Sequence, residues 1–171
     1  MKLINQPTGN SCGPTCLMMI LESHGVGSKI PIPSRIDEIC EMCGTDWIVG
    51  TPPDRLKNGM EALELNYIEY ISTPRPFELL DIVLSEGSPC ILRTITKGVP
   101  HWIIVQSKTP MLYNVLDPWL GEIQYYKPEL DAIWKPRNYH FFEMPKPTIT
   151  EFSPRLSVAS RYGNIKRPVI F

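Results

Sequence analysis

The run Gln6-Pro7-Thr8-Gly9-Asn10-Ser11-Cys12-Gly13-Pro14-Thr15-Cys16-Leu17 constrains this chain more than any other stretch. Its turn formers bring a cysteine to the first turn of a helix, with Ser11 or Asn10 as the expected cap and Pro14 tolerated because it falls inside that turn. Leu17, Ile20 and Leu21 then recur at helical spacing, and Gly25 ends the segment. A thiol at a helix N-terminus faces unpaired backbone N–H groups and the positive end of the helix dipole, an environment that favours the nucleophilic thiolate. Gln6, across the turn, carries an amide donor that, beside the backbone N–H of Cys12, fits an oxyanion hole. The stretch reads as half of an active site.

A cysteine nucleophile needs a base, and the base needs an orienting group. Of His24, His101 and His140, only His101 opens an apolar, β-branched run, His101-Trp102-Ile103-Ile104-Val105, which reads as a buried strand. Tyr113-Asn114-Val115-Leu116-Asp117-Pro118 reads as a second strand ending in an acid. Antiparallel pairing of the two would set His101 beside Asp117. His24 and His140 have no acid or cysteine at useful spacing and read as structural.

Gln6 upstream of Cys12, the Cys-Gly-Pro-x-x-Leu helix start, the His-Trp-x-x-Val strand and the Asp-Pro-x-x-Gly turn together resemble the bacteriocin-processing (double-glycine leader) peptidases, a family of the papain-like cysteine peptidase clan. The resemblance covers roughly residues 1 to 126. It implies Cys12 as nucleophile, His101 as base, Asp117 as orienting acid and Gln6 in the oxyanion hole, with no cofactor and no metal. Many members of that family form the front end of a membrane transporter. No such segment follows here, so leader processing is not expected to carry over with the chemistry.

The rest of the chain fits one α+β domain. A helix is expected from a Ser34-Arg35-Ile36-Asp37 capping box to about Cys43, a second opening at Thr51-Pro52-Pro53-Asp54 and a third over 76–86. A strand is expected over 66–71, and strands at 90–94, 101–107, 112–116, 123–126 and 140–143, with a helical turn over 128–134. Helices first and strands second is the papain-like layout, a cysteine helix packed on an antiparallel sheet. Cys40 and Cys43 have the spacing of half a zinc site but no second pair, and read as one core cysteine and one at a helix end, while Cys16 reads as core filler. Trp47, Trp119 and Trp134 read as packing residues, and Trp102 and Trp119 flank the candidate site.

Residues 145–171 differ from this domain of residues 1–144. Prolines interrupt them, and Lys146, Arg155, Arg161, Lys166 and Arg167 face only Glu151. They read as a basic arm suited to docking on a protein partner. A net charge of −1 gives no reason to expect nucleic acid. No signal peptide or membrane span is read, and an odd count of five cysteines suits a reducing compartment, so the expected location is the cytoplasm or a larger assembly. The leading function is a cysteine peptidase or isopeptidase acting on a peptide or protein. The rivals are an acyltransferase or amidase using the same residues, and a structural, partner-binding component of an assembly such as a virus particle.

Overall fold

A computed structural model describes residues 1–25 and 31–146. Among them the order is α1 (Cys12–Ser23), α2 (Ile32–Cys43), α3 (Pro53–Ala62), β1 (Ile68–Tyr70), α4 (Pro76–Ser85), β2 (Cys90–Thr96), β3 (Val99–Lys108), β4 (Leu112–Asp117), β5 (Gly121–Tyr126), α5 (Lys127–Trp134) and β6 (Phe141–Glu143). The strands form one six-stranded antiparallel sheet in the order β1-β6-β2-β3-β4-β5. The central pair, β2 and β3, is joined by the two-residue turn Lys97-Gly98, both at positive φ, between partners Thr96 and Val99.

The sheet is covered on both faces, which explains why its central strands read as continuous apolar runs. Ile91, Trp102, Ile104, Leu116 and Phe142 pack with α1, α2 and α3. Their chain neighbours Leu92, Ile103, Val105, Val115 and Phe141 face the other way, onto Phe77 and Leu80 of α4 and Leu130 and Trp134 of α5. This is the period of two of a strand, used twice. The helix that starts at Cys12 is consequently buried almost all round, with Leu17, Met18, Met19 and Ile20 fully enclosed between the sheet and its helical neighbours. Gly59 lets α3 approach closely, since a Cβ there would lie 2.3 Å from Cys43 Sγ.

Several local expectations need correcting. No side chain caps α1: Ser11 donates instead to Thr8 O at 3.0 Å, and the Asn10 amide donates to Trp47 O. The Ser34 capping box does not form, because α2 begins earlier at Ile32, behind Pro31. Proline at the first turn fixes φ without losing a needed donor, and here it outcompetes a serine further on. The strand read over 66–71 is only Ile68–Tyr70. Trp134 is buried as a packing residue, but Trp47 is 60% exposed and Trp119 46%. The basic arm from residue 147 onward lies outside the described residues. No helix among the described residues is long and apolar enough to cross a membrane.

Candidate active site

Cys12 opens α1, and its thiol lies beside the His101 ring, near enough to perturb its titration. On its other side His101 Nε2 lies 2.8 Å from Asp117 Oδ1. Backbone pairing makes this possible. The β3–β4 ladder runs to Ile104 opposite Leu116, so Asp117 ends its strand diagonally across from His101. The Thr94 hydroxyl donates to the His101 carbonyl at 3.2 Å and steadies that end of β3. Asp117 is held by its own turn: Oδ1 also accepts the N–H of Trp119 at 2.7 Å and of Leu120 at 3.0 Å. That is the usual work of an Asp before Pro, combined here with orienting a histidine.

The electrostatics follow from these contacts. Burial alone would depress the His101 imidazole, but hydrogen bonds to Asp117 and Cys12, and their charges, raise it to about 9. For Asp117 burial works upward, and the His101 hydrogen bond and charge with the two turn N–H groups outweigh it and lower the carboxyl below its ordinary value. The other four cysteines are buried, and burial pushes each thiol up, Cys40 to about 11 and Cys43 to about 12. Such thiols are poor nucleophiles at neutral pH. Cys16, one turn below Cys12, belongs to the core as expected.

Gln6 ties the two halves together by its backbone, whose N–H donates to Pro118 O at 2.9 Å. Its side-chain amide donates to Thr8 O at 2.7 Å, which commits one of its two N–H groups and leaves the second. Its Oε1 is buried without a partner among the described residues. The uncapped first turn of α1 adds the N–H groups of Cys12 and Gly13 as available donors.

Two features, the Gly13 slot and the carboxylate partner of His140, had no clear signal in the sequence, and a third, Trp119, was expected only as a residue flanking the site. Gly13 sits in a slot where a Cβ would meet Leu56 Cδ1 at 3.0 Å, Trp102 Cδ1 at 3.1 Å and Thr51 Cβ at 3.2 Å. The glycine of Cys-Gly-Pro is therefore a close-approach residue. Trp119 sets its ring 5.9 Å from the His101 ring, under the Lys97 ammonium at 4.7 Å, so the β2–β3 turn roofs the histidine. His140, read as having no acidic partner, has one: its Nε2 lies 3.0 Å from Glu69 Oε1.

A buried cysteine helix packed on an antiparallel sheet that carries histidine and aspartate is the architecture of the papain-like cysteine peptidases. The chain belongs to the Peptidase C39 family, whose model matches residues 1–146, and is a cysteine peptidase. Its fold is similar to the peptidase domain of Streptococcus ComA, a bifunctional ABC transporter involved in a quorum-sensing pathway (TM-score 0.67, 20% identity, 84% of this chain and 98% of that one). It is also similar to a double glycine motif protease from an AMS/PCAT transporter, solved in complex with the leader peptide (TM-score 0.64, 18% identity, 84% and 91%). A third likeness is to a C39-like peptidase from Bacillus anthracis (TM-score 0.64, 11% identity, 86% and 95%). No curated protein sequence matches the chain.

Proposed function

We propose that Cys12, His101 and Asp117 form a catalytic triad that hydrolyses an amide bond in a peptide substrate. The observation that carries this reading is the His101 ring held 2.8 Å from Asp117 Oδ1, with the Cys12 thiol at the start of α1 close enough to raise its titration. Cys12 sulfur attacks the carbonyl carbon, and the negative charge moves to the carbonyl oxygen. The second amide N–H of Gln6 and the Cys12 backbone N–H receive that oxygen. The His101 imidazolium gives its proton to the departing amine, leaving an acyl-enzyme. Water then loses a proton to His101 and attacks the acyl carbon, and the Cys12 thiolate leaves. Asp117 keeps the ring oriented and stabilises its charged form throughout. A peptide is the substrate class supported by the leader peptide bound to the AMS/PCAT relative.

Two measurements test this together. Iodoacetamide should alkylate Cys12 faster than the other four cysteines, and His101→Ala should abolish the difference. Incubation with a mixed peptide library should yield new termini by mass spectrometry, absent with Cys12→Ala. In Gln6→Ala the cleavage rate should drop by about 10² with little change in thermal stability. Five equally slow thiols and an intact library would overturn the triad.

A further inference from the structure

Cys12 and Gly13 are consecutive in α1, and His101 and Trp102 are consecutive in β3. The two pairs meet twice. The Cys12 thiol and the His101 ring lie side by side, and one residue along each chain the Trp102 indole closes against Gly13. The second contact has no slack, since a Cβ at Gly13 would stand 3.1 Å from Trp102 Cδ1. The indole is fixed on its other sides as well. Its Nε1–H donates to Thr51 O at 2.7 Å, and Thr51 is itself a wall of the Gly13 slot. Phe142 and His140 hold the ring from behind at centroid distances of 5.8 and 5.9 Å, and Glu69 anchors His140. Trp102 is 3% exposed. A residue needed only to fill core volume has no use for an N–H. Here the N–H sets the angle of the indole, and the indole sets the distance from β3 to the start of α1.

We propose that Trp102 is a positioning residue that holds the Cys12 sulfur and the His101 ring in register, an inference that rests on the roles assigned to that pair above. It acts through Gly13 and Thr51 and touches no reacting atom. Trp102→Phe keeps an aromatic ring, removes the donor to Thr51 and opens a gap at Gly13. Gly13→Ala pushes the same two elements apart by a few tenths of an ångström. Displacement of a reacting group by about 1 Å costs roughly 10² in rate, so fractions of that distance are measurable.

The readout is the rate of Cys12 alkylation by iodoacetamide at about pH 6, located by peptide mapping, with thermal unfolding in parallel. Either single variant should slow Cys12 alkylation by about tenfold or more while still unfolding cooperatively. The double variant Gly13→Ala/Trp102→Phe should regain part of the rate, because the added methyl fills the space the indole vacated. A purely structural role predicts losses of stability that the double variant partly restores, with wild-type alkylation of Cys12 in every variant that folds. If Trp102→Phe does not fold, Gly13→Ala carries the same prediction. Folded single variants that alkylate at the wild-type rate overturn the positioning role while leaving the triad intact. A wild-type rate no faster than that of His101→Ala overturns the triad and the positioning role with it.

Discussion

His101 and His140 are both buried, 2% and 3% exposed, and each meets a carboxylate through Nε2, Asp117 at 2.8 Å and Glu69 at 3.0 Å. Their electrostatics nevertheless run in opposite directions. His101 is raised to about 9, whereas burial lowers His140, and Arg93 and Lys57 add to that against the partial compensation by Glu69. The difference lies one shell out. Among the described residues Asp117 is otherwise bonded to the neutral N–H groups of Trp119 and Leu120 alone, so its charge acts on the imidazole. Glu69 is shared, because Lys57 Nζ sits 3.0 Å from its Oε2. The Cys12 thiol beside His101 also raises it, a neighbour of a kind that His140 lacks among the described residues. A buried carboxylate beside a histidine therefore does not by itself make a catalytic pair; the charges that compete for the carboxylate decide.

The largest expected effect separates the two pairs directly. Asp117→Ala should lower the cleavage rate by roughly 10³ to 10⁴, since it leaves the His101 Nε2–H without an acceptor and its imidazolium without a compensating charge. Glu69→Gln should leave the rate within about threefold and cost about 1 kcal/mol of stability, read from denaturant unfolding. Equal losses of rate would erase the distinction between the pairs.

The next effect is in pH. A folded-state value above the ordinary 6.5 means that the stability from the His101 pair is fully present below 6.5 and is lost as pH rises through about 9. For His140, lowered from 6.5, the sign is reversed, and its contribution is present above 6.5 and lost as pH falls through its depressed value. Ring-proton NMR should show one histidine titrating near 9 and another below 6.5. The cleavage rate should fall over the same alkaline window, as the proton for the leaving amine is lost. Two histidines titrating together near 6.5 would contradict both assignments.

The smallest effect sharpens the cause. Lys57→Met should move the His140 titration upward only slightly, because the ammonium is a third exposed and screened by solvent, and should leave that of His101 in place. A shift in His101 instead would show that the two networks communicate through Trp102, next to His101 in β3 and edge-on to the His140 ring.

The sequence was most legible where chain neighbours set the structure. Cys12 at a helix start, the helices opening at Pro53 and Pro76, and the central strands from Cys90 to Leu116 all follow from turn residues, prolines and apolar spacing within a few positions. The N-caps misread because proline and turn geometry compete locally with serine, and the outcome depends on what the serine meets. Ser11 met Thr8, and Ser34 was overtaken by Pro31. The two covered faces of the sheet were only half legible, since a continuous apolar run shows that both faces are buried and not which helices bury them.

The sequence alone determined that a cysteine would open a helix and that a histidine strand and an aspartate strand would follow, because each depends on periodicity and turn chemistry along a short stretch. Only the tertiary structure decided that Glu69 partners His140 across 71 positions, and that Thr51 receives the Trp102 N–H across 51. It also decided that Gly13 lies in a slot too tight for a methyl group. These contacts join residues whose spacing carries no periodic signal. They exist because the helices and the sheet bury their apolar faces against one another, and the polar groups carried inward must then find partners wherever the packing leaves them.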